Sequence, residues 1–427
     1  MNAPNQLSAN EALEVISGGQ MRVSTLVQAC LDRIEEREPT IHAWQYLDKS
    51  ARLSEAKACD SNPTKKILHG LVVGIKDNYD THDMPTGYGS PIYARNRPAA
   101  DAAVVAQLRE HGAIILGKTV STEFASSPPP VTRNPHNPGH TPGGSSSGSA
   151  AAVADYMVPV ALGTQTLGSV IRPASYCGVV GFKPSYRRIS CEGIKTLAES
   201  LDTVGIFGRS VSDVELVYRV LSKTAPAQLD DYQGPTALAL CRGPDWDKAD
   251  SDAQSALEKF SERLRAKGIR VDDIELPESF RDLAVATRII HDMEMWRAFS
   301  DERVRNFGLI SPELQVRFES ASRLSVDDYE GAINKGIRCR QELPGLLKGY
   351  DAALTLSATG EAPAGNITTG DPVMNSPWSL LYTPCISIPM LQGRSGLPIG
   401  LQVIAPRFHD AGALRAASWL HRNMQEK

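Results

Sequence analysis

The chain has 427 residues, enough for one large hydrophobic core or for two or three smaller domains. Hydrophobic residues make up 41% and charged residues 22%, close to globular averages, and these fractions exclude collagen-like, coiled-coil and disordered chains. The 45 basic and 49 acidic residues leave a net charge of -4, which argues against a nucleic-acid partner held mainly through its phosphates.

Hydropathy and cysteine spacing exclude further classes of protein. No segment has the roughly 18–20 uncharged apolar residues of a membrane-spanning helix, and the N-terminus has no basic stretch followed by an apolar one. The 7 cysteines are scattered singly, without a C-x-x-C pair or a histidine at metal-ligand spacing. We therefore expect a cytoplasmic protein with reduced thiols, no membrane partner, and neither a metal nor an organic cofactor.

Two helices are predicted at the start of the chain. Ser8 and Glu11 fit a capping box at the first helix. The second helix has an apolar face over 26–34, and we expect Pro39 to end it.

A β–α rhythm follows. The apolar run 71–75 has the length of a strand and leads directly into Lys76. A helix over 102–111, a C-terminal Gly112 and a strand over 113–116 continue the pattern. This alternation predicts the α/β class.

The segment 126–149 consists almost entirely of Pro, Gly, Ser, Asn and Thr, and its composition alone is typical of a flexible linker. An apolar helix and strand follow at once, over 150–154 and 157–162, and small residues return at 163–169. Two small-residue turns thus flank one helix–strand unit. We interpret this arrangement as a backbone-lined catalytic crevice.

The rest of the chain divides into a charged helical section and a return to short apolar strands. Two helices and a strand-like triplet are predicted at 253–267, 293–307 and 269–271. Apolar runs and a last helix follow at 352–356, 385–389, 401–404 and 411–423. We predict one domain over 1–427, with a core formed by 60–220 and 351–427 and a more variable helical section at 225–350.

Familiar serine-nucleophile and phosphate-binding motifs are missing. No serine has the flanking pattern of a G-x-S-x-G elbow, and none of the 9 histidines sits in a recognisable triad motif. The Gly/Ser run 143–148 is not followed by the Lys-Ser/Thr step of a phosphate-binding loop.

Three other segments carry a recognisable pattern. They are GIKDN at 74–78, GGSSSGSAA at 143–151 and GTQTLGSVIRP at 163–173. Ser145 follows Lys76 by 69 residues, and Ser169 follows Ser145 by 24. In order and spacing this set closely resembles the amidase signature family, and the likeness covers most of the chain, least at 225–350.

The resemblance implies a fold and a set of catalytic residues. The fold would be a large α/β domain with a central mixed sheet covered by helices on both faces. Ser169 would be the nucleophile, Ser145 a bridging serine preceded by a cis peptide bond, and Lys76 the terminal base. The oxyanion hole would be formed by the backbone N–H groups of Thr166, Leu167, Gly168 and Ser169.

The proposed base has a physical requirement. A lysine in water has a pKa of about 10.4, so it accepts a proton at neutral pH only if burial or nearby positive charge lowers that pKa. Lys76 follows an apolar strand and is a candidate for such burial.

Three further residues are expected to support the site. Thr164 would orient Ser169, and Asp202 would be a buried hydrogen-bonding brace. Arg172 has two interpretations, a contact with a substrate carboxylate as in malonamidase-like relatives or a structural brace, and we favour the brace.

Leu167 departs from the double glycine usual in this family before the nucleophile. A side chain there is strained if the backbone needs positive φ, and tolerated if φ is negative and only the N–H matters. We expect the turn to survive and the isobutyl group to project toward the acyl pocket.

The substrate pocket is expected within 290–330 and 359–382. For each candidate lining residue taken singly, core packing is the better interpretation. The candidates are His291, Met293, Trp296, Tyr329, Trp378 and Tyr382.

The predicted function is hydrolysis of the C–N bond of a small-molecule amide through an acyl-enzyme on Ser169, with esters or carbamates as further candidates. The alternative is an amidotransferase subunit that supplies ammonia from glutamine to a misacylated tRNA held by partner proteins. An inactive binding protein is disfavoured because all three relay residues are present. A homodimer is one candidate assembly that the sequence leaves open.

Overall fold

The computed structural model describes residues 3–62, 64 and 66–425, and 11 strands in this part of the chain form one sheet. The strands are β1 (Trp44–Leu47), β2 (Val72–Lys76), β3 (Ile114–Thr119), β4 (Val160–Gln165), β5 (Val180–Lys183), β6 (Thr203–Gly208), β7 (Ala237–Cys241), β8 (Arg270–Ile274), β9 (Ala352–Leu356), β10 (Cys385–Gln392) and β11 (Pro398–Ile404). Their order across the sheet is β1-β3-β2-β4-β6-β5-β10-β11-β9-β7-β8. β2 runs parallel to β3 and β4, whereas β10 runs antiparallel to β5 and β11, so the sheet is mixed, as the resemblance implied.

Helices cover both faces of this sheet. They are α1 (Ala9–Ser17), α2 (Val23–Ile41), α3 (Lys49–Ser61), α4 (Ala103–Glu110), α5 (Ser147–Ala154), α6 (Ile171–Tyr176), α7 (Val211–Ser222), α8 (Ser251–Ala266), α9 (Leu283–Ala298), α10 (Ser300–Asn306), α11 (Pro312–Ala321), α12 (Val326–Leu346), α13 (Ser376–Leu380) and α14 (Asp410–Asn423). Among the described residues, no helix combines the length and the hydropathy needed to cross a bilayer.

The two faces are visible in the alternation of β7. Leu238 and Leu240 join the core beneath α4, α7, α8 and α14, whereas Ala239 and Cys241 join the core beneath α9 and α12. Successive side chains of a strand point to opposite faces, so a short, wholly apolar run such as β7 serves two cores.

The opening helices follow the prediction except at one end. Ser8 caps α1, because its Oγ accepts from the Glu11 N–H at 3.2 Å and the Glu11 carboxylate accepts from the Ser8 N–H at 2.8 Å. The expectation that Pro39 ends the second helix is wrong, since α2 continues to Ile41. Ile41 is fully buried and holds the last turn against the core, which outweighs the one helical hydrogen bond that proline removes.

The section 225–350 contributes to the sheet as well as to its helical cover. Its β7 and β8 form one end of the sheet, beside β9 from the late part of the chain. The helix predicted over 293–307 is two helices, α9 and α10, that meet at Phe299. Phe299 is fully buried against Phe124 and Phe318, so aromatic packing fixes the break.

The second part of the segment with the composition of a linker, residues 141–149, belongs to the core, whereas most of 126–140 is exposed or half-buried. Residues 141–149 are all buried. The Thr141 N–H donates to the Pro363 carbonyl at 3.1 Å, and the Gly148 N–H donates to the Val120 carbonyl at 3.0 Å. The small residues therefore allow close backbone approach here, and the segment is fixed in place.

Candidate active site

Sheet topology gathers the predicted catalytic segments at one edge. β2 ends at Lys76 and its parallel neighbour β4 ends at Gln165, so both carboxyl ends lie on the same side. Antiparallel β6 begins at Thr203, directly opposite Gln165, and brings Asp202 to the same edge. Such an edge of an α/β sheet is where ligand sites usually form.

Lys76 is buried without a carboxylate partner among the described residues. Its side chain has 0% exposure, and its Nζ donates to the Ser145 Oγ at 2.8 Å and to the Thr164 Oγ1 at 2.9 Å. Burial lowers the pKa of Lys76 from 10.5 to about 7, although the charge of Asp202 acts in the opposite direction. The amine can therefore exchange a proton near neutral pH.

Ser145 is presented to this lysine by a cis peptide bond, Gly144–Ser145. The Gly144 carbonyl accepts from the Arg172 Nη2 at 2.7 Å. Gly143 has a φ of +80°, a conformation that favours glycine, and its carbonyl accepts from the Ser147 Oγ at 2.7 Å. These contacts fix the turn that aims the Ser145 hydroxyl at Lys76.

Ser169 lies on the wall of a cavity of about 160 Å³. Its residue exposure is 9%, against 2% for Ser145. In the described part of the chain no hydrogen bond joins Ser169 to Ser145, so the lysine–serine contact is formed while the Ser169 hydroxyl faces the cavity.

Two side chains without a predicted role, those of Gln165 and Ser379, hold the turn around Ser169. The Gln165 Oε1 accepts from the N–H groups of Val170 and Ile171 at 2.9 and 3.0 Å. The Gln165 Nε2 donates to the Ser379 Oγ at 3.1 Å, and that hydroxyl donates to the Leu167 carbonyl at 2.9 Å. The neighbouring N–H groups of residues 166–169 have no intramolecular acceptor among the described residues. They are available to stabilise a developing oxyanion.

Asp202 braces the same turn from behind. Its Oδ1 accepts from the Thr166 Oγ1 at 2.6 Å, and its Oδ2 accepts from the N–H groups of Leu197 and Ala198 at 2.7 and 3.1 Å. Burial raises the pKa of this carboxyl, against the effect of these hydrogen bonds. Every observed contact of the side chain is structural.

Thr164 is bonded to Lys76, whereas its predicted role was to orient Ser169. Its Oγ1 accepts from Lys76 and also from the Asn78 Nδ2 at 3.0 Å. In the described residues it makes no contact of this kind with Ser169.

Leu167 fits the turn without a left-handed backbone. It is not among the described non-glycine residues with positive φ. Its side chain, 8% exposed, packs with Ile171 and Leu201 and also lines the cavity. At Gly168, by contrast, an added Cβ would lie 2.6 Å from the Asn375 Oδ1, so a larger residue would displace that side chain.

One of the six predicted pocket residues lines this cavity. His291 does so, while Trp378 packs in the core, Tyr382 stacks on Tyr186 and Tyr329 donates to a glutamate. Other lining residues, from four separate parts of the chain, are Arg172, Arg288, Arg317, Thr369, Gly370 and Pro372. Arg288 precedes the predicted ranges, and a lone arginine on a helix carries no sequence signal for this role.

A group of potential metal ligands lies outside the cavity lining. His82, Asp83 and Asp101 have ligand atoms close enough to share an ion. Arg109 already pairs with Asp83 at 2.6 Å and with Asp101 at 3.1 Å, and Arg52 pairs with Asp83 at 2.9 Å. The carboxylates are therefore neutralised by arginines.

The chain is similar to known proteins over most of its length. The model of the family described as Amidase matches residues 25–414. The chain is 31% identical to a glutamyl-tRNA(Gln) amidotransferase subunit of Roseiflexus castenholzii, over 98% of this chain and 96% of that protein. A structure described as an amidase shares 28% identity with a TM-score of 0.91, over 98% of this chain and 100% of that one. The peptide amidase of Stenotrophomonas maltophilia shares 26% identity with a TM-score of 0.81, over 99% and 98%.

Proposed function

Because the chain belongs to the amidase family and is a hydrolase of carbon–nitrogen bonds, we propose that it cleaves small-molecule amides through an acyl-enzyme on Ser169. The observation that carries this proposal is the 2.8 Å hydrogen bond from the buried Lys76 amine to Ser145, beside a cavity onto which Ser169 opens. A buried amine bonded to one serine, next to a second serine at a cavity, is the arrangement that a serine relay requires.

The relay acts in two halves. The Ser169 Oγ attacks the amide carbonyl, and its proton passes through the Ser145 hydroxyl to the neutral Lys76 amine. The C–N bond then breaks, and the same proton returns through Ser145 to the leaving nitrogen. A water repeats the sequence on the ester, which releases the carboxylic acid and regenerates Ser169.

The backbone of the turn stabilises both tetrahedral intermediates. The N–H groups of residues 166–169 are preorganised because Gln165 and Ser379 hold the turn from outside. In comparable acyl-transfer sites, removal of one such donor raises the activation free energy by about 3–4 kcal/mol.

Covalent labelling tests the assignment of the nucleophile. A fluorophosphonate should modify Ser169, with loss of fluoride, and peptide mapping should locate the adduct. Ser169→Ala should remove both the label and the activity. More than about a tenth of the wild-type rate in this variant, a loss of less than about 1.4 kcal/mol, would contradict the assignment.

Ser149 is the matched control. It is fully buried and its Oγ donates to the Leu162 carbonyl at 2.8 Å, so its contacts are structural. Ser149→Ala should retain the label on Ser169. An adduct on Ser145 or Ser149 in the wild-type protein would reverse the proposed roles.

The amidotransferase alternative is kept because relatives 28–31% identical to this chain bear that name. It requires partner subunits and specificity for glutamine. The purified chain, alone and together with partner subunits, is offered glutamine and a panel of simple amides, and ammonia release separates the two functions. Turnover of glutamine only, and only with a partner present, would favour the transferase.

A further inference from the structure

Two hydroxyl groups compete for the amine of Lys76. Its Nζ lies 2.8 Å from the Ser145 Oγ and 2.9 Å from the Thr164 Oγ1. A protonated amine donates to both oxygens, but the neutral amine of a base has a single lone pair, and either hydroxyl can donate to it. Proton transfer requires that this lone pair accept from Ser145. If Thr164 donated to it instead, the Ser145 hydroxyl would have no base, and the transfer would be blocked.

The hydrogen of the Thr164 hydroxyl has no acceptor of its own among the described residues. The Thr164 Oγ1 accepts from Lys76 and, at 3.0 Å, from the Asn78 Nδ2. A hydroxyl oxygen has two lone pairs and one hydrogen, so these two donors fill the lone pairs and the hydrogen points elsewhere. Thr164 is 5% exposed, and buried donors are rarely left unsatisfied. The hydroxyl therefore needs an acceptor other than Lys76.

A second buried group beside Thr164 also lacks a partner. Asn78 is 2% exposed, and its Oδ1 has no hydrogen-bond partner in residues 3–62, 64 and 66–425. Asn78 and Thr164 both line a small cavity of about 10 Å³, which is about the space that one water molecule needs. A water in this cavity can accept the Thr164 hydrogen and donate to the Asn78 Oδ1. It would satisfy both groups at once.

The titratable groups that line this small cavity are engaged elsewhere or neutral. Asp202, whose charge acts on Lys76, accepts from the Thr166 hydroxyl at 2.6 Å and from two backbone N–H groups. Lys195 forms an ion pair with Glu302. Burial raises the pKa of the Cys191 thiol to about 12, so this thiol is uncharged near neutral pH.

We propose that the small cavity binds one structural water and that Asn78 is a positioning residue for the proton relay. The water accepts from the Thr164 hydroxyl and donates to the Asn78 Oδ1, while the Asn78 Nδ2 holds the Thr164 oxygen. Thr164 is thereby restricted to accepting from Lys76, and the lone pair of the neutral amine is left to Ser145. Ser145 gives its proton to Lys76 as it takes the proton of Ser169, so the water and Asn78 gain and lose none. This inference rests on the proposed function, because it concerns the direction of hydrogen bonds in the same relay.

A crystal structure of the wild-type protein, at a resolution that shows ordered water, tests the water site directly. We expect one water within about 2.5–3.0 Å of both the Thr164 Oγ1 and the Asn78 Oδ1. This measurement needs no substrate and no turnover. A well-resolved structure without ordered water at these two atoms would overturn the proposal.

Two variants of Asn78 test the positioning role. The readout is the second-order rate constant for fluorophosphonate labelling of Ser169 between pH 5 and 9, which does not depend on the identity of the substrate. Asn78→Leu should lower the plateau of this profile by about tenfold or more, since the water loses its acceptor and the Thr164 hydrogen turns to the Lys76 lone pair. Asn78→Asp offers the Thr164 hydroxyl an acceptor and should keep the plateau. Its negative charge should move the midpoint to higher pH, by about one unit, because it favours the protonated form of Lys76.

Asn96 provides a matched control. It is half-buried, and its Nδ2 donates to the Thr86 carbonyl at 3.0 Å, outside the linings of both cavities. Asn96→Leu should change neither the plateau nor the midpoint. A partly unfolded preparation lowers the labelled fraction and leaves the rate constant unchanged. A wild-type plateau in Asn78→Leu, or equal plateaus in Asn78→Leu and Asn78→Asp, would overturn the positioning role.

These measurements separate the positioning role from the proposed function. If no amide is hydrolysed while the water is present and the two Asn78 variants label Ser169 as expected, the proposed function is wrong and the positioning role stands. If amides are hydrolysed through Ser169 and the small cavity holds no ordered water, the positioning role alone is wrong.

Discussion

Two lysines on neighbouring strands, both fully buried, have different roles because their partners differ. The Lys118 Nζ forms an ion pair with the Asp77 Oδ1 at 3.1 Å and donates to the Tyr79 carbonyl at 2.8 Å. Burial lowers the pKa of Lys118, but the Asp77 carboxylate opposes that effect. Within the described chain, Lys76 has only hydroxyl partners and no such carboxylate. Lys118 is thus a structural cation, whereas Lys76 can act as a base.

The pKa of Lys76 predicts the pH dependence of catalysis. Only the neutral amine accepts a proton, so kcat/KM for an uncharged amide should rise with pH and level off above about pH 7. Steady-state rates between pH 5 and 9 on a substrate that does not titrate in this range measure the effect. A rate that falls as the pH rises through 7 would contradict Lys76 as the base.

Leu167 should influence which acyl groups fit, because its side chain forms part of the cavity wall. Leu167→Gly should change the ratio of kcat/KM between a small and a bulky acyl amide by about tenfold, equivalent to about 1.4 kcal/mol of differential transition-state binding. Because φ is negative at this position, replacement of leucine by glycine relieves no backbone strain. A changed ratio would therefore come from the loss of the side chain. An unchanged ratio would show that the leucine acts only in the core.

At the scale of elements, α5 approaches the end of β3 so closely that one position tolerates only glycine. A Cβ on Gly148 would lie 2.2 Å from the Ala43 carbonyl oxygen and 2.4 Å from the Val120 nitrogen, both backbone atoms that cannot swing away. Gly148→Ala should therefore lower the free energy of unfolding by about 2 kcal/mol.

Gly412 on α14 is the control position for Gly148, because a side chain there would lie in open space. No atom of the described residues lies within 4 Å of a Cβ built on Gly412, so Gly412→Ala should leave stability unchanged or raise it by up to about 1 kcal/mol through helix propensity. Urea denaturation midpoints of both variants measure the difference. Equal midpoints for the two variants would contradict the close packing of α5.

Strong local patterns predicted elements well, and weak ones did not. The capping box at Ser8 and the apolar runs that became β2, β9 and β11 located their elements to within a few residues. β7 was missed because five apolar residues without alternation do not distinguish a buried strand from part of a helix. The break at Phe299 was missed because tertiary aromatic packing determines it.

At the scale of the whole molecule, the late strands β10, β11 and β9 lie between β5 and β7, and so join the early part of the sheet to the section 225–350. Sequence motifs led to Lys76, Ser145 and Ser169 as candidate catalytic residues, because these residues lie in segments with a characteristic composition. Arg288 was not identified, since its place at the cavity depends on how α9 packs across the assembled sheet. Local pattern carries no information about that packing.

The buried Lys76 amine also lowers the stability of the folded protein. The pKa of Lys76 is about 7 in the folded state, against about 10.4 in an unfolded chain. Between these values the unfolded state binds more protons, so this group's contribution to stability rises with pH. The destabilisation is therefore largest below about pH 7 and fades toward pH 10.

Replacement of Lys76 and replacement of Lys118 should therefore have opposite effects on the free energy of unfolding. Lys76→Met should raise the free energy of unfolding at pH 6, by on the order of 2 kcal/mol after allowance for the lost hydrogen bonds to Ser145 and Thr164, and by less at pH 9. Lys118→Met should lower it by about 3–5 kcal/mol, because Asp77 is then left buried and unpaired. Urea denaturation at both pH values measures these differences. If Lys76→Met were less stable than the wild type at pH 6, or if its advantage grew with pH, the lysine would be charged and compensated in the folded protein, and another group would have to accept the proton from Ser169.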